Sequence, residues 1–406
     1  MEHRRRRSLT IALVVAPFLL AGCSGSAQPL PSSTTFALTT SSPSSSSAGP
    51  TSSVGPTSIS DLPPSTGAET ADTDSAVVAT ELTVSTIVTG LASPWGLAFL
   101  PDGRAVVTGR DDGSITLIDT SGGEPAMTSA GVIEGVDHGG EGGLLGVAVS
   151  PTFAQDDLLY VYFTGADGNQ IDTVALRDGK LADQQQGFGG IPKGNIHNGG
   201  RLVFGPDGLL YVGTGETGER DDAQDLASLG GKILRLTPDL EPAPGNPFGT
   251  AVYSYGHRNV QGLAFDDDGR LWASEFGQNT WDELNLITAG DNYGWPLVEG
   301  PDESGGFVAP QRVWPTSEAS PSGIAFWNGS IWMAGLRGER LWQIPITEAA
   351  NVATGEPVAQ LTEVAGRLRT AQVAPDGSLW VTTSNTDGRG DVRDGDDRIL
   401  RLQVTG

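Results

Sequence analysis

The chain has 406 residues, of which 49 are Asp or Glu and 24 are Lys or Arg, so its formal net charge is −25. This charge argues against nucleic acid or an anionic lipid surface as a partner, because both are themselves negatively charged. It is compatible with a neutral ligand and with calcium, whereas an anionic ligand would need arginine residues gathered around it. The single cysteine, Cys23, excludes a disulfide bond within the chain.

Residues 1–23 have the pattern of an export signal. Arg4–Arg7 form a basic segment, and Ile11–Leu20 form an apolar segment that is too short for a permanent transmembrane helix. The sequence around Cys23, Leu-Ala-Gly-Cys, resembles the bacterial lipobox, in which the cysteine is acylated and becomes the mature N-terminus. We therefore expect an extracytoplasmic lipoprotein that is held at the bacterial cell membrane only by this lipid. An ordinary cleaved signal with a chance cysteine is the alternative, and the export route, Sec or twin-arginine, stays open.

Residues 24–80 are dominated by Ser, Thr, Pro, Gly and Ala, as in the run Ser41–Ser47. Such a composition offers too little apolar surface to offset the entropy lost on ordering. We predict a disordered tether over residues 24–80 that carries no chemistry. A folded domain then occupies residues 81–406.

One unit recurs six times in this domain: an apolar strand, a turn rich in Pro, Asp, Asn and Gly, and a second apolar strand. Asp-Gly and Asn-Gly supply the positive φ angles that tight hairpins need, so each unit predicts a hairpin. Successive units start roughly 45 to 60 residues apart, which is the period of a four-stranded propeller blade. The units begin at Leu97, Val147, Leu202, Leu263, Ile324 and Val373.

The repeats predict an all-β fold, a six-bladed β-propeller without long amphipathic helices. Seven blades, one of them degenerate, form the main alternative. A β-sandwich does not account for this pattern, because its turns do not repeat at this long period. Propeller sites lie on loops at one mouth of the central channel, so the polar segments between the repeats are the informative ones.

Four such segments hold polar residues that strand periodicity does not require. Together, and in this order, they resemble the soluble PQQ-dependent glucose, aldose-sugar and sorbosone dehydrogenases, where PQQ is pyrroloquinoline quinone. The resemblance covers about residues 85 to 405. The segments are Gly140–Gly146, Ile196–Arg201, Gly256–Gly262 and Glu275–Glu283, the last followed by Asn292–Pro296.

The resemblance makes His197 the general base that removes a proton from the anomeric hydroxyl of the sugar, while C1 delivers hydride to PQQ. A neutral imidazole suits proton removal near neutral pH. A loop histidine can instead be hydrogen-bonded for a structural purpose, and residue type alone does not distinguish the two roles.

The resemblance also implies a set of basic and polar contacts to PQQ, which carries three carboxylates. Arginine forks suit planar carboxylates, although solvated surface arginine is the ordinary alternative. Arg258 is expected near the reactive quinone oxygens and so counts as catalytic too, and Arg337 stands where some relatives have lysine. Alternate residues of an extended strand point the same way, so Arg367 and Arg369 could hold one ligand together. The expected PQQ contacts are Arg258, Asn259, Thr316, Arg337, Arg367 and Arg369.

Calcium is the second cofactor that the resemblance implies. Backbone carbonyls of Gly277 and Gln278 are expected to bind the ion that also coordinates PQQ, with Asp282 in support. Glu283 and Tyr293 match positions around a second, structural calcium ion. An acidic solvated loop is the alternative reading of this segment.

The resemblance implies Glu141, Gln261 and Trp314 as sugar contacts. A carboxylate can accept a hydrogen bond from a sugar hydroxyl, and an indole face suits a pyranose ring. The segment between Tyr293 and Trp314 is short compared with the glucose-selective enzymes, which implies an open site and broad specificity.

The expected activity is oxidation of aldose sugars to lactones, with electrons passed to an external acceptor, a quinone or a cytochrome. The alternatives are a calcium-dependent propeller lactonase and a non-catalytic surface binding propeller. The sequence is compatible with a monomer or a dimer.

Overall fold

The computed structural model describes residues 81–302, 304–347 and 354–405. The predicted signal peptide with Cys23 and the predicted tether lie outside the described residues. No helix in the described ranges is both long enough and apolar enough to cross a membrane.

Twenty-four strands form six antiparallel sheets of four strands each in the part of the chain that the structure describes. The first twelve strands are β1 (Leu82–Val88), β2 (Pro94–Phe99), β3 (Ala105–Gly109), β4 (Ser114–Asp119), β5 (Ala126–Val132), β6 (Leu144–Val149), β7 (Leu158–Thr164), β8 (Asn169–Arg177), β9 (Lys180–Ile191), β10 (Arg201–Phe204), β11 (Leu210–Gly213) and β12 (Lys232–Leu236). The other twelve are β13 (Val252–Tyr255), β14 (Val260–Phe265), β15 (Leu271–Glu275), β16 (Trp281–Ile287), β17 (Arg312–Pro315), β18 (Pro321–Trp327), β19 (Ser330–Gly335), β20 (Arg340–Pro345), β21 (Val358–Gln360), β22 (Leu368–Val373), β23 (Leu379–Thr383) and β24 (Ile399–Val404).

The sheets are the blades of a six-bladed β-propeller, which confirms the predicted fold. The innermost strands β2, β6, β10, β14, β18 and β22 contact one another in a closed ring around the channel. Each predicted turn joins the first and second strands of one blade, as at Gly208, whose φ of +73° fits the Asp-Gly hairpin. The only helices in the described ranges are the one-turn α1 (Phe153–Asp156) and a 3₁₀ turn (Arg220–Ala223).

The two ends of the described chain close the ring. Strand β1 is the outermost strand of the sixth blade and pairs antiparallel with β24, from Leu82 opposite Val404 to Val88 opposite Ile399. The last blade is therefore completed by the first strand, which ties the first blade to the last through backbone hydrogen bonds.

The core lies between neighbouring blades. One cluster joins Tyr211 and Ile233 of the third blade to Leu263 and Leu271 of the fourth, and all four side chains are almost fully buried. Because the innermost strands converge on the axis, some positions there have no room for a side chain. A Cβ on Gly146 would lie 2.1 Å from the carbonyl oxygen of Gly200 in the next blade.

Candidate functional site

A cavity of about 420 Å³ opens at one mouth of the central channel. Its lining residues come from the loops between blades, from the loops between second and third strands, and from the first residues of the innermost strands. All of these segments end at the same face of the ring. The lining residues are Trp95, Arg110, Glu141, His197, Arg258, Asn259, Gln261, Phe276, Gly277, Ser320, Leu336, Arg337, Arg367, Arg369, Asp387 and Arg389.

β-Bulges aim three of these side chains into the cavity. The strand register shifts between Pro94 and Leu97, between Val260 and Gly262, and between Leu368 and Thr370. A bulge inserts an extra residue, which bends the strand and turns a side chain away from its regular direction. The residues inside these three irregularities are Trp95 with Gly96, Gln261 and Arg369.

His197 lies on the loop that enters β10 and adopts a left-handed backbone with a φ of +56°. Its ring Nδ1 contacts the Oε1 of Glu216, a carboxylate that is almost fully buried. The second oxygen of Glu216 accepts a hydrogen bond of 3.0 Å from the N–H of Gly218, which fixes the carboxylate. The carboxylate thereby orients the imidazole and can stabilise it once it has accepted a proton at Nε2.

Glu141 connects the imidazole loop to the rim of the cavity. Its Oε2 accepts a hydrogen bond of 2.9 Å from the backbone N–H of His197, and its Oε1 pairs with Arg389 at 2.8 Å. Arg389 is 61% exposed, so this pair spans the edge of the cavity at the solvent boundary.

The predicted arginine pair converges on one carboxylate. Arg367 and Arg369 each place a guanidinium nitrogen 3.0 Å from the Oδ2 of Asp387, and all three side chains are at least nine-tenths buried. Burial alone would raise the pKa of Asp387, but Arg369 and Arg367 hold it below its ordinary value. Arg369 also donates to Gln261 Oε1 at 3.1 Å, and burial lowers the pKa of Arg369 to about 10.

Arg258 and Asn259 lie side by side on the loop that enters β14. Asn259 is buried and accepts a hydrogen bond of 3.0 Å from the N–H of Gly199 through its Oδ1. Arg258 donates from Nη1 to the carbonyl of Phe276 at 3.0 Å, whereas its buried Nε has no hydrogen-bond partner among the described residues. Burial lowers the pKa of Arg258, and the carboxylates nearby act against that change.

The lining is strongly cationic although the chain is acidic. Among the described residues that line the cavity there are six arginines and two carboxylates, Glu141 and Asp387, while Asp111 and Glu216 pair with lining residues from behind. Arg337 is exposed at the rim and makes no ion pair within the described part of the chain. This excess of positive charge suits an anion with several carboxylates. The six are Arg110, Arg258, Arg337, Arg367, Arg369 and Arg389.

The predicted calcium segment borders the same cavity. Gly277 lines it, and Asp282 lies behind, accepting the N–H of Gly277 at 2.9 Å and the N–H of Ser320 at 2.6 Å. Burial raises the pKa of Asp282 to about 6. Gln278 is exposed and does not line the cavity. In the described residues, no three His, Cys, Asp or Glu side chains form a cluster that could hold a metal ion.

Glu283 and Tyr293 lie in a separate buried group beside the cavity. The amide of Asn285 donates to Glu283 Oε2 at 3.1 Å and to Glu275 Oε1 at 2.7 Å. Burial raises the pKa of Glu283, and the nearby carboxylate of Glu275 raises it further. Tyr293 stacks on His257, whose ring nitrogens contact Ser254 and Glu275.

The expectation of an indole at the sugar site is not met by Trp314. Its ring is 4% exposed and lies in the core against Trp342, with 5.7 Å between ring centroids. The ring packs in the hydrophobic cluster that joins the fourth and fifth blades, a contact between blades that the sequence does not show. Thr316 does not line the cavity either, although its carbonyl accepts a 3.4 Å hydrogen bond from the hydroxyl of the lining residue Ser320.

Sequence reasoning missed Glu216, Asp387 and Arg389. Glu216 and Asp387 lie in Gly-Glu-Thr-Gly and Asp-Gly-Arg-Gly contexts, which look like ordinary turns. A signal was nevertheless present, since each follows the second strand of a blade at the face that carries His197.

Comparison with known proteins agrees with this geometry. The family model described as Glucose / Sorbosone dehydrogenase matches residues 91–400. The PQQ-bound aldose sugar dehydrogenase of Streptomyces coelicolor is 55% identical, with a TM-score of 0.76 over 80% of this chain and 99% of that one. The aldose sugar dehydrogenase of Escherichia coli is 34% identical over 340 residues, which cover 73% of this chain and 89% of that protein.

Quinoprotein glucose dehydrogenase B of Acinetobacter calcoaceticus matches a smaller share of the chain. It is 33% identical over 258 residues, which are 55% of this chain and 54% of that protein. The family match covers strands β2 to β23 in full and every residue that lines the cavity. The chain therefore belongs to the glucose/sorbosone dehydrogenase family of oxidoreductases.

Proposed function

We propose that the chain oxidises aldose sugars at the anomeric carbon to lactones, with PQQ as its cofactor in the cationic cavity. The observation that carries this proposal is the set of six arginines around His197 in a protein of net charge −25. A neutral sugar needs no such charge, but a cofactor with three carboxylates does.

The donors in the cavity fit that cofactor. The buried Nε of Arg258 has no partner within the described residues, and Arg337 extends a free guanidinium at the rim. Arg367 immediately precedes β22 and Arg369 lies within it, both line the cavity together with Asn259, and both guanidinium groups pair with Asp387. When bound, the quinone supplies a two-electron acceptor for hydride.

His197 then acts as the general base. Its Nε2 takes the proton of the anomeric hydroxyl while the hydrogen on C1 leaves as hydride, so one proton and one hydride leave the sugar and a lactone forms. Glu216 holds the ring and balances the charge that develops on it. Glu141 offers carboxylate oxygens to the other sugar hydroxyls, and Gln261 offers its amide N–H groups, since its Oε1 already accepts from Ser322 and Arg369.

Calcium belongs to the same proposal. The carbonyl groups of Gly277 and Gln278 would bind an ion at the edge of the cavity, and Asp282 would support the loop that carries them. A second ion between Glu283 and Tyr293 would offset the repulsion of the buried Glu275 carboxylate. The proposed enzyme accepts a broad range of aldoses. It passes the electrons to an external acceptor, a quinone or a cytochrome, and is a monomer or a dimer.

Replacing Glu216 with glutamine is expected to lower kcat about thirtyfold, which is the rate equivalent of a charged hydrogen bond worth about 2 kcal/mol. KM for the sugar is expected to change little, because Glu216 acts on the base and not on the substrate. Steady-state kinetics with Glu219→Gln, an exposed neighbour on the same loop, as control would check this. An equal loss in both variants would contradict the assigned role.

We also propose that Cys23 is acylated and anchors the protein outside the cytoplasm. The lipobox-like sequence ahead of Cys23 supports this. Mass spectrometry of the mature N-terminus is expected to find a lipid on Cys23 and its loss in Cys23→Ser. An unmodified N-terminus elsewhere in the chain would refute the anchor.

A dye-linked oxidation assay tests the proposed activity. Purified protein freed of metal and cofactor would be titrated with PQQ in excess calcium, with a panel of aldoses. Oxidation that requires both additions supports the proposal. Lactone hydrolysis without PQQ would favour the lactonase, which would hold calcium at the channel axis mainly by side chains. PQQ-independent sugar binding without turnover would favour the binding propeller.

A further inference from the structure

One carboxylate oxygen of Glu299 accepts several backbone hydrogen bonds from the segment that is proposed to bind calcium. Its Oε1 accepts hydrogen bonds from four consecutive backbone N–H groups, those of Gln278 (2.7 Å), Asn279 (3.1 Å), Thr280 (3.0 Å) and Trp281 (3.2 Å). Burial acts to raise its pKa, but these amide bonds hold the pKa of Glu299 below its ordinary value. One oxygen of Glu299 is therefore the common acceptor of the whole turn.

These bonds fix where the carbonyl groups of the turn point. The peptide bonds here are trans, so the C=O of each residue points opposite to the N–H of the next. The N–H groups of Gln278 and Asn279 point at Glu299. The carbonyl oxygens of Gly277 and Gln278 must therefore point away from Glu299, both on the opposite side of the turn.

The fit around this carboxylate is tight. A Cβ on Gly277 would lie 1.8 Å from the carbonyl oxygen of Trp281 and 2.7 Å from Glu299 Oε1. The residue after Glu299 is held as well, since Gly300 donates its N–H to Glu283 Oε1 at 2.8 Å. A Cβ on Gly300 would meet the Trp281 ring at 2.3 Å. Loop and carboxylate thus fit only with glycine at both positions.

We propose that Glu299 is a positioning residue that orients the Gly277 and Gln278 carbonyl groups for the calcium ion. Without it, four neighbouring N–H groups would lose their common acceptor and the turn would no longer hold two carbonyls on one side. The inference rests on the proposed function, because it assigns the residue that holds the carbonyl groups of the same calcium site in place. Glu299 itself does not touch the ion or the substrate.

The test compares Glu299→Ala and Glu299→Gln in the full chain. Glu124→Ala is the control, because it removes the same charge from an exposed turn. Metal-free protein with PQQ is titrated with calcium, and binding is followed by PQQ absorbance. Glu299→Ala is expected to raise the calcium concentration for half-maximal binding at least about tenfold, or about 1.4 kcal/mol. Glu299→Gln keeps an acceptor oxygen and is expected to raise it less than about threefold.

Amide hydrogen exchange without calcium or PQQ supplies the second readout. Residues 278–281 are expected to exchange at least about tenfold faster in Glu299→Ala, and nearly as in the wild type in Glu299→Gln. Melting temperatures of all variants verify that the propeller folds.

Three results would overturn the inference. The first is a calcium requirement in Glu299→Ala within about threefold of the wild type. The second is an equally large rise in both variants while the amides of Glu299→Gln stay protected, because charge and not orientation would then be the cause. The third is a wild type without any calcium-dependent PQQ binding, which differs from the other two because it also removes the proposed function.

Discussion

Replacing His197 with asparagine is expected to lower kcat for aldose oxidation by about 10³-fold, within the range that a general base contributes. Asparagine tolerates the left-handed backbone found at this position (φ +56°), so the loop is expected to keep its shape. It cannot take the hydroxyl proton. Binding of PQQ is expected to persist, because the arginines that would hold it are unchanged.

Stopped-flow and steady-state kinetics on His197→Asn would measure this effect beside His138→Asn. His138 lies on a neighbouring loop and does not line the cavity, so its replacement is expected to leave kcat within about twofold. A kcat for His197→Asn within about tenfold of the wild type would exclude His197 as the base. Weakened PQQ binding with unchanged turnover of the bound fraction would instead make it a cofactor contact.

Replacing Asp387 with asparagine is expected to lower the free energy of unfolding by about 3 kcal/mol at pH 7. The change leaves Arg367 and Arg369 buried without their common counter-ion. Asp183→Asn is the matched control, because Asp183 and its partner Arg177 are both more than half exposed. An exposed pair contributes less than about 1 kcal/mol.

The difference in the free energy of unfolding between the wild type and Asp387→Asn is expected to shrink as the pH is lowered. The pKa of Asp387 is lowered by folding, so its ionised form stabilises the folded state. The contribution is complete above about pH 5 and is lost as the pH falls through the folded pKa. Urea unfolding of the wild type and the variant at several pH values would test this. A difference that stays constant down to pH 3, or that is smaller than in the control, would contradict the assignment.

The fold was predictable because its signals are local. Each Asp-Gly or Asn-Gly turn lies between two short apolar strands, and such a hairpin needs only a few consecutive residues to specify it. The closure of the ring was not predictable in this way. Leu82 pairs with Val404 across almost the whole domain, and no local pattern in β1 identifies that partner.

The lining of the cavity was predictable where a side chain stands in a distinctive loop, as at His197, Arg258 and the Arg367–Arg369 pair. Its supporting carboxylates were not. Glu216 contacts His197, 19 residues earlier in the chain, and Asp387 contacts Arg367, 20 residues earlier, and no local pattern shows these contacts. An acidic residue beside a glycine is an ordinary turn residue by composition. Trp314 shows the opposite limit, since residue type suggested a sugar contact while packing between the fourth and fifth blades buries the residue.

Direct reduction of bound PQQ by an aldose tests the central claim most simply. The protein loaded with PQQ and calcium would be mixed with glucose carrying hydrogen or deuterium at C1, without any electron acceptor, and the PQQ absorbance followed. We predict loss of the oxidised spectrum in one turnover per chain, more slowly with deuterium. An oxidised spectrum that persists after every aldose of a panel, in protein that has bound PQQ, would contradict the account.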